Sequence, residues 1–287
     1  MSTILEVKGL TKQYRNSDFC LDHISMSIPS GAIMGFVGEN GAGKSTTIGC
    51  ILNTLIKDSG TVKIFGKEMT DASTDIRDSI GVVYDTNPFP DHLTPKRISS
   101  AMRHVYTNWD SALFKQHLHR FKLPENQKLK SFSRGMTMKL AVSVALSHHP
   151  KLLILDEATS GLDPVVRDDI LDVFLDFVQD ENNSILLSSH ITSDLEKVAD
   201  YITFIHEGKI VFSEKKDTLI YDYGLMRCKA AQFAEIDKTD MLAYRRHEYQ
   251  TDVLVRDRAA AQKKYRDVII DSITIEEIML MLVKGER

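Results

Sequence analysis

The sequence has few cysteines, no long apolar run and no excess of basic residues. Its three cysteines, Cys20, Cys50 and Cys228, are far apart and odd in number. This spacing predicts neither a disulfide framework nor a metal site, and reduced thiols in a cytosolic protein are the simplest interpretation. Apolar residues nowhere continue for the ~18 positions that a membrane-spanning helix requires. We therefore expect any role at a membrane to depend on a partner protein.

The charge balance of the chain argues against nucleic acid as a partner. Asp and Glu number 40 against 36 Lys and Arg, which gives a formal net charge of −4. Proteins that bind nucleic acid usually carry a strong positive field, and this composition provides none. The first residues, MSTILEVKGL, also lack the basic segment and apolar core of a secretory signal. We expect neither a nucleic-acid partner nor a signal peptide.

Segments typical of strands and helices alternate along the chain. Short apolar runs at residues 32–37, 152–155 and 184–187 are typical of buried strands, with helix-like segments between them. This alternation predicts an α/β core with a parallel sheet. Residues 87–137 show helical spacing without a strand pattern and predict a helical insertion. After Tyr221, short strand-like pieces return, and they predict a small accessory subdomain.

The segment Gly38–Thr46, GENGAGKST, satisfies the G-x-x-x-x-G-K-[ST] pattern between a strand-like and a helix-like segment. Its glycines allow backbone N–H groups to converge on phosphate oxygens, and the following helix adds its positive end. We expect Lys44 to reach the β- and γ-phosphates and the Ser45 hydroxyl to bind Mg²⁺. The alternative is a plain glycine turn with a solvated lysine. The complete pattern favours a nucleotide site, whose remaining members are Gly38, Asn40, Gly41, Gly43 and Thr46.

A second motif, LLILDEATSGLDP, begins with an apolar run typical of a strand. The carboxylates of Asp156 and Glu157 follow at the end of that run. Open α/β folds bind ligands at this edge of the sheet. We expect Asp156 to hold Mg²⁺ and Glu157 to act as the general base for the attacking water. The alternative is an acidic pair in the first turn of a helix.

Four motifs occur in a fixed order: the phosphate loop, Ser133-Arg134-Gly135-Met136, LLILDEATSGLDP and Ser188-Ser189-His190. In this order they resemble the nucleotide-binding domain of an ABC transporter, over a match from Ile4 to Ser213. The resemblance implies an enzyme that hydrolyses ATP with Mg²⁺. It also implies that two such domains sandwich two ATP molecules head to tail, each completing the other's site.

The resemblance implies roles for several residues that match positions of the family pattern. Tyr14 matches the aromatic residue that stacks on adenine, and a half-buried tyrosine at a strand end is the alternative. His190 matches the switch histidine at the γ-phosphate, and joins Lys44 and Glu157 as a catalytic candidate. The loop that crosses the dimer interface contains Asp163, which also suits the N-cap of a helix beginning at Pro164. The positions expected to touch the partner's γ-phosphate are Ser133 and Gly135.

Three positions depart from the family pattern. The signature loop, usually Leu-Ser-Gly-Gly-Gln, reads Phe-Ser-Arg-Gly-Met at residues 132–136, so Arg134 adds a charge. The glutamine between core and helical insertion aligns with Asp85, which can accept from a water or approach Mg²⁺ but is shorter and charged. Ala158 replaces the proline that usually follows the Walker B glutamate.

The resemblance also implies a domain plan. It predicts a P-loop NTPase (RecA-like) core at residues 1–86 and 138–220 with a helical subdomain at 87–137. Together these make an ATPase domain at 1–220. A small α+β subdomain follows at 221–287.

These variants look most like the ATPase subunits of small bacterial exporters, often controlled by a GntR-type regulator, that handle antibiotics or amphipathic peptides such as phenol-soluble modulins. The implied partners are a separate transmembrane permease and a second ATPase subunit, at the cytoplasmic face of the bacterial membrane. We expect residues 85–90 and the start of the helical insertion to form the groove for a permease helix, with Phe89, Tyr106 and Trp109 as lining candidates. The alternative is simple packing of the helical insertion, which we favour for Trp109. The alternative function is a soluble ABC ATPase acting on ribosomes or DNA.

Overall fold

The computed structural model describes residues 2–15 and 19–286. The chain forms two compact units, residues 1–199 with 205–210 and residues 200–204 with 211–287. The predicted domain ranges begin at Met1 and end at Arg287, and these two residues lie outside the described part. The predicted divisions at 86, 137 and 220 stay predictions.

The first unit alternates strands and helices. Its strands are β1 (Thr3–Gln13), β2 (Cys20–Pro29), β3 (Ile33–Val37), β4 (Ser59–Ile64), β5 (Lys67–Glu68), β6 (Ile80–Tyr84), β7 (Leu152–Asp156) and β8 (Ser184–Ser189). Its helices are α1 (Lys44–Ile51), α2 (Thr74–Arg77), α3 (Pro95–Met102), α4 (Ser111–Arg120), α5 (Arg134–Leu146), α6 (Pro164–Phe177) and α7 (Thr192–Val198). Strands β9 (Tyr201–His206) and β10 (Lys209–Lys215) follow, and their residues are divided between the units.

The centre of the first unit is a parallel sheet in which β3, β8, β7 and β6 are neighbours in that order. Every residue of β3 and β8 is buried. Strands covered on both faces have continuous apolar sequences rather than alternating ones, which explains the runs IMGFV and LLIL. The register pairs Tyr84 with Asp156 and Asp156 with Ser188. The loops that follow β6, β7 and β8 therefore start side by side at one edge of the sheet.

The helical segment begins where the sequence predicts it. Thr94 caps α3 by accepting a hydrogen bond from a first-turn N–H, and Pro95 occupies the first turn. The Nε1 of Trp109 donates to the hydroxyls of Ser99 and Ser111 at 3.2 and 3.1 Å. Trp109 is thus held within this segment, in agreement with its interpretation as a packing residue.

The second unit is built on an antiparallel sheet. It contains β11 (Gly224–Cys228), β12 (Ala243–Arg246), β13 (Thr251–Val255) and β14 (Ile269–Asp271), in the spatial order β12-β13-β11-β14. Its helices are α8 (Ala230–Ala234), α9 (Arg258–Lys264) and α10 (Ile275–Lys284). Its buried core includes Met226, Cys228, Val253, Val255 and Ile270.

The capping box predicted for the last helix is confirmed. Glu277 N donates to Thr274 Oγ1 at 3.2 Å, and Thr274 N donates to Glu277 Oε2 at 2.9 Å. Two N–H groups that the helix itself leaves without partners are satisfied reciprocally. Within residues 2–15 and 19–286, no helix combines the length and apolar character needed to cross a membrane.

Candidate active site

The phosphate loop connects β3 to α1 and requires glycine at specific points. Gly41 and Gly43 have φ angles of 85° and 113°, in the left-handed region that side chains disfavour. A Cβ on Gly43 would lie 2.6 Å from Leu21 Cδ2, and one on Gly38 would lie 2.5 Å from the Ile205 carbonyl oxygen. Gly43 is also the N-cap of α1 and has no side-chain cap hydrogen bond. The loop therefore presents the backbone end of a helix, the arrangement that binds anions.

Lys44 is buried and curled over this loop. Its Nζ donates to the carbonyl oxygens of Gly38 and Glu39 at 2.7 and 3.1 Å. The same Nζ lies 3.1 Å from Glu157 Oε1, an ion-pair contact outside hydrogen-bond geometry. The side chains of Asn40 and Ser45 are exposed, and Thr46 is half-buried. The ammonium group of Lys44 is thus held by carbonyl groups of the loop itself, while the side chain of Ser45 stays exposed.

Glu157 lies between Lys44 and His190. Its Oε2 is 2.6 Å from His190 Nδ1, while its Oε1 faces Lys44. The residue has φ 55°, a conformation that non-glycine residues adopt mainly where surrounding structure holds them. Its backbone N–H donates to the Ser188 carbonyl at 3.2 Å. The end of β8 therefore helps to hold the carboxylate that the sequence predicts as the base.

Asp156 is oriented by Ser188, which the sequence places in a motif with His190 without indicating a role for it. Ser188 Oγ donates to Asp156 Oδ1 at 3.0 Å. Burial, and to a smaller extent the Asp156 carboxylate, raises the pKa of the neighbouring Tyr84 above its ordinary value. The available signal was positional, because a serine two residues before His190 falls at the same strand end as Asp156.

The residues at this edge suit a hard cation shared with phosphate. The Ser45 hydroxyl and the Asp156 carboxylate provide oxygen donors, which Mg²⁺ prefers, and Mg²⁺ commonly takes one or two protein ligands plus substrate phosphates. In the two described ranges, no group of three or more His, Cys, Asp or Glu side chains is arranged to hold a metal. The donor set thus fits a metal held jointly with a nucleotide rather than in a cage of protein ligands.

Helices α5 and α6 are each preceded by a loop residue whose side chain caps the helix. Ser133 Oγ accepts from Met136 N at 3.2 Å at the start of α5, and Asp163 Oδ1 accepts from Val166 N at 3.0 Å at the start of α6. Both predicted N-caps are therefore present. A Cβ on Gly135 would lie 3.1 Å from a methyl carbon of Val166, so the two helix starts pack together.

Asp85 and Arg134 are brought together in an ion pair. The sequence predicts both as site residues but gives no sign that they pair. Tyr14 lies just beyond β1, 37% exposed, with Lys12 Nζ 5.6 Å from the centre of its ring. Its assignment to adenine stays a prediction.

The parallel sheet, the loop around Lys44 and the carboxylates at the end of β7 define a P-loop NTPase. The ABC transporter family model matches residues 21–160. The bacitracin transport ATP-binding protein BcrA of Bacillus licheniformis is 34% identical over 74% of this chain and 69% of its own length. The lantibiotic transport ATP-binding protein SrtF of Streptococcus pyogenes is 33% identical over 75% of this chain and 92% of its own length.

A solved structure supports the same fold. The ATP-binding cassette MJ0796, in a dimeric post-hydrolysis state bound to ADP and Pi, superposes with a TM-score of 0.67. It is 20% identical, and the match covers 74% of this chain and 98% of that one. The chain belongs to the ABC transporter family. It is an ATP-binding ABC ATPase.

Proposed function

We propose that this chain is the ATP-hydrolysing subunit of an ABC exporter and closes as a dimer around two ATP molecules to drive a separate membrane subunit. The observation that carries the proposal is the position of Glu157 between Lys44 and His190, at 3.1 and 2.6 Å. A carboxylate there is close both to the loop that binds phosphate and to a group able to contact the γ-phosphate. This is the arrangement that hydrolysis of a terminal phosphate requires.

Each side chain then has a defined task. Lys44 exchanges Glu157 for the phosphate oxygens when ATP binds, which releases the carboxylate to accept a proton from the attacking water. The water oxygen bonds to the γ-phosphorus, the bond to the β–γ bridging oxygen breaks, and ADP and phosphate leave. His190 positions the γ-phosphate and Glu157. Ser45 and Asp156 would hold Mg²⁺, which neutralises the phosphate charge when bound.

The second half of each site comes from another chain in this proposal. The N-terminal end of the 13-residue helix α5, capped by Ser133, suits an anion, because helix N–H groups and the macrodipole point there. We assign Ser133, Arg134 and Gly135 to the partner chain's ATP, and Asp163 to the interface between the chains. The dimeric state of the related cassette MJ0796 supports this arrangement.

The cargo is inferred from the relatives. Their names specify transport of bacitracin and of a lantibiotic. We propose export of antibiotics or amphipathic peptides, with the chain bound to its permease at the cytoplasmic face of the bacterial membrane. The GntR-type regulator stays a prediction from the sequence.

Purification of the tagged chain from its own cells tests this proposal. We expect a polytopic membrane protein to co-purify, and antibiotic or amphipathic peptides to change the ATPase rate of the complex. The same complex carrying Lys44→Ala should show no peptide response. Co-sedimentation of the chain with ribosomes rather than membranes would favour a soluble ABC ATPase instead.

A further inference from the structure

The two charged residues that depart from the family pattern contact each other. Arg134 Nη2 donates to Asp85 Oδ1 across 49 positions of sequence. One lies in the loop after β6 and the other begins α5. We propose that they form a positioning pair, in which Asp85 holds Arg134 and so sets the signature loop that this chain presents to its partner's ATP. This inference rests on the proposed function.

The position of Arg134 on its helix gives Asp85 a reason to be charged. Arg134 is the first residue of α5, and the first turn of that helix contains no acidic residue. A cation at the positive end of a helix dipole is unfavourable, and the effect is confined to the first turn. The Asp85 carboxylate supplies the compensating charge from another loop. A neutral glutamine at position 85 would not do so.

Packing around Arg134 connects the pair to a third loop. Gly161 has φ 65°, and a Cβ there would lie 3.1 Å from both Cζ and Nη1 of Arg134. The guanidinium group therefore lies against the backbone of the loop that ends at Asp163. Arg134 thus contacts Asp85, in the loop after β6, and lies against the loop at Gly161. In this proposal the pair links the position of the loop after β6 to the start of α5.

The pair is suited to positioning rather than to stability. The side chains of Arg134 and Asp85 are 52% and 47% exposed. Ion pairs with such exposure contribute about 0–1 kcal/mol to folding, because water screens them. Their loss should therefore leave the fold intact and change the geometry of α5. In this proposal Asp85 acts as the counter-ion of Arg134.

The experiment uses the full-length chain carrying Glu157→Gln, so that ATP is bound but not consumed. Asp85→Ala, Arg134→Ala and the double substitution are each added to it. ATP affinity is measured at a protein concentration where the chain is monomeric, and ATP-dependent dimerisation by light scattering. Asp75→Ala, which breaks the exposed ion pair between Lys67 and Asp75, is the matched control. Thermal unfolding is recorded for every variant.

We expect either single substitution to weaken dimerisation about fivefold, the upper range for an exposed ion pair. The double variant should dimerise as well as the more impaired of the two single variants, because both single substitutions remove the same interaction. The ATP affinity of the monomer should change by about twofold or less, and the unfolding temperature by about 4 °C or less. The Asp75→Ala control should dimerise within about twofold of its parent.

Three results would overturn the inference. Effects of the two single substitutions that multiply in the double variant would mean that the residues act independently. A loss of monomer ATP affinity in Asp85→Ala as large as the loss of dimerisation would place Asp85 in its own chain's site. If the Glu157→Gln chain without further change stays monomeric at saturating ATP, the ATP sandwich itself is wrong, and the pair has no such role.

Discussion

Lys44 Nζ and Glu157 Oε1 lie 3.1 Å apart, so the lysine of the phosphate loop and the candidate base neutralise each other. Both side chains are largely buried, at 5% and 17% exposure. In the proposed function, a phosphate that enters the loop competes with Glu157 for the same ammonium group. Phosphate binding would then release Glu157 to act as the base.

Lys44→Ala should abolish productive ATP binding and turnover. It removes the cation of the loop and leaves Glu157 without its partner, and breaking a buried charge pair costs several kcal/mol. We expect a fall in ATPase rate of at least ~10²-fold, the usual loss when a group that stabilises charge in the transition state is removed. Lys67→Ala, at an exposed lysine paired with Asp75, is the control. A wild-type rate in purified Lys44→Ala protein would refute the site assignment.

Glu157→Gln should keep ATP bound and slow hydrolysis by ~10²-fold or more, because the base is lost while the shape of the side chain is kept. The variant should accumulate as a closed dimer with ATP, detected by light scattering. Hydrolysis at an unchanged rate would show that another group accepts the proton.

Asp156→Asn should raise the Mg²⁺ concentration needed for half-maximal ATPase activity, because an amide is a weaker ligand than a carboxylate. Ser188→Ala, which removes the hydrogen bond to Asp156 Oδ1, should raise it in the same direction by a smaller factor. A titration of activity against Mg²⁺ measures both. An unchanged Mg²⁺ requirement in Asp156→Asn would exclude this residue as the ligand.

Ser133→Arg should block turnover mainly at the opposite chain's ATP. A bulky cation at the cap of α5 removes the hydroxyl and, in the proposed dimer, fills the surface that would face the partner. In mixed dimers, the affected site should be the one whose phosphate loop belongs to the unsubstituted chain. Damage confined to the phosphate loop of the substituted chain itself would contradict the head-to-tail arrangement.

Thr274→Ala should destabilise the second unit by ~1 kcal/mol, the usual value of an N-cap hydroxyl. Thr274→Ser keeps the capping box and should unfold like the natural chain. Native-state hydrogen exchange of the backbone amides of α10 measures the difference. An equal loss in both variants would mean that the cap hydrogen bond is not the source of the stability.

Local chemistry made much of this structure predictable. The glycines of the loop, the buried strands and the caps at Thr94, Ser133 and Asp163 depend on neighbouring residues, which sequence spacing reveals. The contact of Arg134 with Asp85 was different, because it joins positions 49 residues apart that each look like an isolated departure. The hydrogen bond from Ser188 to Asp156 likewise depends on the register of β7 and β8.

The second unit shows the same limit. The pattern after Tyr221 predicts short strands and a capped helix, which are present. The spatial order β12-β13-β11-β14 places strands that are distant in sequence beside one another, so periodicity could not specify it. Nor does periodicity indicate that residues 200–204 belong with this unit.

The chain passes between its two units at residues 199/200, 204/205 and 210/211. Glu214, on β10, pairs with Arg256 and accepts a hydrogen bond from the hydroxyl of Tyr223. Removal of everything after residue 220 would remove both of these partners of Glu214. Because residues 200–204 and 211–220 belong to the second unit, neither a stop codon nor a protease acting at one point would divide the chain into its two units.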